Sequence, residues 1–423
     1  MLDMILASLK SDMAYVTESI RNMDEKAKKK WRTYYRLLSE INYPYLRMYD
    51  GLLRYIIKYI QPIRIYVAID DSFIFRSRSK KVPTGHFDYD HARKSNRSKY
   101  VWGQNLMAVT FSIAYGDNKL LKIPFRIKLK SDAMSKIHYG RYMMKSTIAF
   151  LAQLRLLKNA IVSFDSWFTN YPMIAEFAPF VTIVAQAKLN YVFYHLPADR
   201  STLPKRRGAP KKYGDRIYKP NINSLEHKVT LHLYNKDMEI EYSDFIVKAR
   251  FLKGMIIKIV YLKFTDAKKL RVLLSTDINL SAVEIIEAYE KRWKIETFFY
   301  EYKHVLGLKD MMQHSLQTYY RWGYIRLISY TIINFLKTFN EKEIASFTAL
   351  TFPWRTTNKK KKISITFKVA QLYFFSFFSS FDKRYLLHET LNNSSAFLRS
   401  RHQPLNNRGY KHREFVDFLL DSG

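Results

Sequence analysis

A mixed α/β fold with helical ends is what the sequence predicts, and three observations predict it. Ile63, Ile65, Val67 and Ile69 alternate with Arg64, Tyr66, Ala68 and Asp70, the period-two pattern of a strand. A helical period over about 143–158, with Met144, Ile148 and Leu151 on one face, leads into the apolar run Ala160-Ile161-Val162-Ser163-Phe164. From about 186 to 276 this alternation of strand and helix gives way to strand-like runs.

Region 1–60 reads as helical, its apolar spacing broken by the basic run Lys26, Lys28, Lys29, Lys30 and Arg32. It is either a small DNA-binding unit or a packing extension. Region 61–185 opens with the strand closed by Asp70. Strands Val101 to Tyr115 and Leu120 to Lys128 follow, joined at Gly116-Asp117-Asn118 as a hairpin. The helix over 143–158, the strand closed by Asp165, a short helix through Met173 to Phe177 and a strand from Phe180 to Ala185 complete the unit. A three-strand meander followed by helix, strand, helix and strand predicts a ribonuclease H-like mixed sheet with flanking helices.

Region 186–276 is predicted to be a mostly β insertion. Its loop from Pro204 to Lys212 carries Lys205, Arg206, Arg207, Lys211 and Lys212, a basic set that could enter a DNA groove or lie solvated. Helical periodicity returns near Ala282, so 277–340 completes the core. Region 341–423 is predicted mostly helical and includes the lysine run Lys359 to Lys362.

Composition narrows the partners. Lysine and arginine number 71 against 37 acidic residues, a formal charge of +34, and 16% of residues are aromatic. So large a charge repels itself unless a polyanion is near, which points to nucleic acid. The absence of cysteine excludes disulfides, zinc fingers and thiol catalysis. The most apolar late stretches, Tyr324 to Leu336 and Phe367 to Phe381, are shorter than the ~20 residues that span a bilayer. A soluble, cytoplasmic, nucleoid-associated protein without a membrane partner is expected.

The candidate chemistry is acidic. Asp70 closes one strand and precedes Asp71-Ser72; Asp165 closes another and precedes Ser166-Trp167. Carboxylates at the ends of neighbouring strands project to one sheet edge, where a later helix can add Glu296. Three such groups without a charge partner repel, so their convergence calls for divalent cations, Mg2+ or Mn2+ by the hardness of the oxygen donors. Two ions can serve phosphodiester hydrolysis. On a helix, Tyr289, Arg292, Glu296 and Lys303 fall at roughly 0°, 300°, 340° and 320°, a narrow polar face, with Ile295, Phe298 and Tyr302 on an apolar one. Read alone, Arg292 and Glu296 form an i,i+4 ion pair. His86, Asp88, Asp90 and His91 are metal-like by type, but they alternate in a polar stretch and read as a solvated loop.

The spacing Tyr289, Arg292, Glu296, Lys303 is similar to the Tyr-Arg-Glu-Lys signature of DDE transposases of the insertion-sequence-four type. Asp70-Asp71-Ser72 and Phe164-Asp165-Ser166-Trp167-Phe168 resemble that family's two Asp motifs, and a β insertion before the Glu also belongs to it. The resemblance spans about Ile63 to Lys309.

It implies that Asp70, Asp165 and Glu296 hold two Mg2+ (or Mn2+) ions and that Tyr289, Arg292 and Lys303 grip DNA phosphates. The implied partners are double-stranded DNA with terminal inverted repeats and target DNA, bound by a homodimer. The implied reaction is cut-and-paste transposition, with hairpin ends as one route. Asp71 competes with Asp70, and alternation favours Asp70 if Ile65, Val67 and Ile69 face the opposite layer. Family members commonly stack a Trp of the insertion on a flipped base; no Trp lies in this insertion, so Tyr191, Tyr213 or Tyr218 would take that part. The other readings are a catalytically silent DNA-binding protein derived from a transposase and a structure-specific DNA nuclease.

Overall fold

In the computed structural model, the described residues are 2–378 apart from 12–13, 24–28, 77–78, 90–97, 117–118, 132, 199–210, 222–223, 235, 265–268 and 353–364. Four helices open the chain: α1 (Leu2–Lys10), α2 (Val16–Arg21), α3 (Trp31–Ser39) and α4 (Tyr45–Ile60). Of these, α1, α3 and α4 pack on a long later helix, α9 (Leu316–Lys337), which is buried along nearly its whole length, while α2 packs on α1 and α3. Buried polar groups of α9 tie the two regions. Trp322 Nε1 donates to the Ala14 carbonyl at 2.9 Å and Arg321 Nη1 to the Leu38 carbonyl at 3.0 Å. Arg326 reaches the carbonyls of Ser8, Ser11 and Leu306. Buried guanidinium donors need acceptors, and these backbone carbonyls supply them.

The central sheet starts from β1 (Arg64–Phe75), which runs on past Asp70 instead of stopping there. Two further strands, β3 (Tyr100–Tyr115) and β4 (Lys119–Leu129), make the predicted hairpin. An unpredicted strand, β2 (His86–Tyr89), pairs with the start of β3, so the stretch read as a solvated loop is partly sheet. His86 is buried there with Nδ1 3.0 Å from the Thr84 carbonyl; Asp90 and His91 lie outside the described residues.

Helix α5 (Lys136–Gln153) begins well before the predicted start. Ser135 caps it by accepting from the His138 backbone N–H. The chain then runs through β5 (Ala160–Phe164), α6 (Tyr171–Phe177) and β6 (Thr182–Ala187). The order β4-β3-β1-β5-β6, antiparallel up to β1 and parallel from β1 through β6, is ribonuclease H-like.

The later strands do not form a separate sheet. β12 (Arg271–Ser275) pairs antiparallel with β6, and β11 (Met255–Phe264) and β10 (Lys236–Ala249) continue outward. β9 (His227–Leu233), β7 (Phe193–Tyr194) and β8 (Arg216–Ile217) finish that side. Among the described residues, all twelve strands belong to one sheet.

Helix α7 (Ala282–Glu290) starts at a capping box of Ser281 and Glu284 and lays Ile285, Ile286 and Tyr289 against Ile161, Val184, Val260 and Leu273. Helix α5 covers the opposite face, where Gly140 sits beside Ile69 and Phe168 and Phe111 lies near Phe150. After α7 come a 3-10 turn at Lys291–Trp293, α8 (Lys294–Tyr300) and a π turn at Glu301–Val305. The signature stretch is therefore not one regular α-helix. Its apolar side still packs as expected, with Ile295, Phe298 and Tyr302 buried.

Beyond α9 lie α10 (Glu341–Thr351) and α11 (Phe367–Phe378); Gln371 of α11 donates to the Leu9 carbonyl at 2.8 Å. Lys359 to Lys362 fall outside the described residues. Among the described residues no helix is long and apolar enough to cross a membrane.

Candidate active site

Strand alternation sets which acid faces where. Ile69 points to α5, so Ala68, Asp70 and Ser72 point to the α7–α8 side. Asp71 turns to the α5 face, where its Oδ2 accepts from Asn105 Nδ2 at 2.9 Å and pairs with Lys136 Nζ at 2.8 Å. The two neighbouring acids thus have separate surroundings, and Asp70 is the one that meets the signature residues.

Asp165 follows β5 directly. Its Oδ1 accepts from the backbone N–H groups of Trp167 at 3.0 Å and Phe168 at 3.3 Å, which fixes the carboxylate at the strand end. Burial lifts Asp70 to a pKa of about 7, an effect opposed by the Arg292 guanidinium and reinforced by the charge of Asp165. Asp165 is therefore near enough to be felt by Asp70.

The signature side chains arrive over these acids. Arg292 Nη1 donates to Asp70 Oδ2 at 2.8 Å and Nη2 to Glu296 Oε1 at 2.8 Å. Its Nε is buried without a hydrogen-bond partner. Burial opposes the Arg292 charge, but Tyr289, Asp70 and Glu296 together outweigh it and hold the proton more tightly than usual.

Tyr289 donates to Gln186 Oε1 of β6 at 3.0 Å, with the Arg292 guanidinium 5.6 Å from its ring centre. Burial pushes the Tyr289 hydroxyl up to a pKa of about 12. From the π turn, Lys303 Nζ donates to Ser72 Oγ at 2.6 Å and to the Phe73 carbonyl at 2.5 Å. Burial lowers Lys303 to about 8, against the pull of Asp71. Changes of helical winding of this kind recur at functional sites, where they re-aim side chains.

The structure thus brings Asp70, Asp165, Tyr289, Arg292, Glu296 and Lys303 to one end of one sheet face. It also joins Arg292 to Glu296 and Asp70, where the resemblance had sent the guanidinium to phosphate and both acids to metal. Among the described residues, no three Asp, Glu, His or Cys side chains stand close enough together to hold a metal ion. The donor chemistry still suits a hard divalent cation, since Asp70, Asp165 and Glu296 offer carboxylate oxygens. The Arg292 guanidinium pairs with two of them.

Lys205, Arg206 and Arg207 lie outside the described residues. Lys211 and Lys212 are exposed in the insertion, the Lys212 carbonyl accepting from Lys248 Nζ at 3.1 Å. Of the stacking candidates, Tyr191 is engaged inside the fold, its ring 4.0 Å from that of Phe251 and its hydroxyl on the Thr169 carbonyl. Tyr213 packs on Tyr194, while Tyr218 is 74% exposed. Sequence reasoning missed Ser72 and Gln186 as partners of signature residues. Ser72 was findable, because a residue two beyond Asp70 on a strand must share its face.

Comparison with curated proteins finds no match to this chain. A family model described as the transposase DDE domain matches residues 141–332. That span takes in Asp165, Tyr289, Arg292, Glu296 and Lys303, and begins after Asp70. The match supports a DDE transposase, and with it a protein that acts on DNA.

Proposed function

We propose that this chain is a DNA transposase of the insertion-sequence-four type, cutting transposon ends and joining them to target DNA. The observation that carries the reading is the meeting of Asp70 and Asp165, from two parallel strands, with Arg292 and Glu296 of the signature. Asp70, Asp165 and Glu296 would hold Mg2+ or Mn2+, which when bound supplies water activation and charge stabilisation for phosphodiester hydrolysis and strand transfer. The chain's own part is positioning. Arg292 spends one N–H of each terminal nitrogen on Asp70 and Glu296, which leaves the second N–H of each for a phosphate, and Lys303 stands as a point charge held on Ser72. Inverted repeats, target DNA and a second copy of the chain are the proposed partners.

The test is magnesium-dependent cleavage of a DNA fragment bearing the terminal repeats. Asp165→Ala and Glu296→Ala should abolish cutting; a variant that cuts like the parent overturns the assignment. One observation favours a second reading, a DNA-binding protein without catalysis: Arg292 already satisfies Asp70 and Glu296. That reading expects DNA binding with no nicking at any Mg2+ or Mn2+ concentration.

A further inference from the structure

The unpredicted strand β2 and the start of β3 form a ribbon in which Phe87 lies opposite Trp102 and Tyr89 opposite Tyr100. Directly opposed residues of an antiparallel pair project to the same face, so these four rings share one side. Along β3, residues 100, 102, 104, 106 and 108 alternate to that same side, and Ala108 is the partner of Asp70. The rings therefore stand on the sheet face that carries the candidate active site. Tyr100 and Ala108 are eight positions apart along the strand, roughly 26 Å at the usual rise.

The inner end of the ribbon is fixed. Trp102 Nε1 donates to the Ser79 carbonyl at 2.9 Å, and Gln104 Nε2 to the Pro83 carbonyl at 2.6 Å. A Cβ on Gly85 would lie 2.5 Å from the Trp102 ring, so only glycine lets the loop close on it. Two outer rings are exposed, Phe87 at 67% and Tyr100 at 60%. Phe87 stands 5.2 Å from Trp102 and Tyr89 5.9 Å from Tyr100, both edge to face.

The charge of the segment decides what could cover these rings. Residues 76–99 carry eight lysines and arginines against two aspartates. Lys80, Lys81 and Lys99 are exposed beside the ribbon. A second copy docking ribbon to ribbon would bring two such segments together and be repelled. A partner with flat π faces and negative charge meets both features, and bases inside a duplex are already stacked on each other.

We propose that the β2–β3 ribbon binds unpaired nucleotides of DNA, with Phe87 and Tyr100 stacking on bases and the neighbouring lysines on phosphates. The proposal rests on the reading of DNA as substrate and adds a single-strand site to it. Such a site would receive a strand opened next to the cleaved end.

The test is fluorescence anisotropy with the full chain, titrated into a labelled oligothymidylate and, separately, a blunt duplex of the same length. Phe87→Ala and Tyr100→Ala should each weaken oligothymidylate binding by about fivefold or more, leaving duplex binding unchanged. Phe87→Leu and Tyr100→Leu keep apolar bulk for folding and should show the same loss, whereas Tyr100→Trp should retain binding. Oligothymidylate binding that is absent in the parent, or unchanged in the variants, overturns the proposal. A parent dimer that the double alanine variant converts to monomer in sedimentation, with oligothymidylate binding unchanged, assigns the ribbon to self-association and overturns it too. Asp165→Ala separates the two readings: it should bind oligothymidylate fully, and cutting by that variant would remove the transposase assignment while leaving the ribbon's binding intact.

Discussion

Arg292 Nη1 and Asp70 Oδ2 meet at 2.8 Å across 222 positions of sequence, and the same guanidinium holds Glu296 through its other terminal nitrogen. The arginine thus occupies the position of a cation between two of the acids that the resemblance assigns to metal. A divalent ion held by those acids would compete with Arg292 for the same carboxylates.

Replacing Arg292 should therefore favour metal. In Arg292→Gln, Mn2+ should bind about tenfold tighter or more, since charge-assisted hydrogen bonds of about 1.5–3 kcal/mol no longer have to be broken. Calorimetric titration of the DNA-free protein measures this. Unchanged or weaker Mn2+ binding would show that the guanidinium does not guard the site.

Asp70 sets a pH dependence in metal-free buffer. Its carboxyl is raised to about 7 by burial, against an ordinary value near 3.9. The folded chain keeps this proton where the unfolded chain has lost it. The contribution to stability is therefore fully present below about pH 4 and is lost as pH rises through about 7. Lys303, lowered to about 8, acts at higher pH, from there to about 10.4. Thermal melts at pH 5 and pH 7.5 should show the parent losing more stability over that interval than Asp70→Asn. Equal losses would count against the shift.

Ser72 should act through Lys303. Removing the hydroxyl leaves the ammonium only the Phe73 carbonyl among its two described acceptors. Ser72→Ala should weaken binding of an end oligonucleotide by about tenfold, and Ser72→Thr should restore it. Anisotropy at constant salt reads the difference, and parental affinity in Ser72→Ala would release Ser72 from this role.

Phe298 seats the signature helix, its ring 5.3 Å from Tyr302 and 5.6 Å from Tyr330. Phe298→Ala should cost about 3–5 kcal/mol in denaturant unfolding. Tyr300→Ala, on the exposed side of the same helix, should stay within about 0.5 kcal/mol. Similar costs for the two would mean that the helix is not anchored through its apolar side.

The sequence by itself determined the elements that depend on local pattern. Alternation at Ile63 to Asp70, the helical period ahead of Ala160 and the apolar seat Ile295, Phe298 and Tyr302 all reappear, because burying one side of a strand or helix writes its period into the chain. The preference for Asp70 over Asp71 followed from the same alternation once the layer behind Ile69 was known. Tertiary structure alone decided the rest. Pairing of β12 with β6 merges the strands read as an insertion into one sheet with the core, and strand partners distant in sequence leave no periodic trace. The 3-10 turn at Arg292 packs on β1, and Lys303 of the π turn bonds to Ser72 and Phe73 of the same strand, tertiary contacts that propensity does not record. Whether Arg292 pairs with one helical neighbour or also with an acid 222 positions away depends on which charges the folded sheet brings within reach, and only the fold decides that.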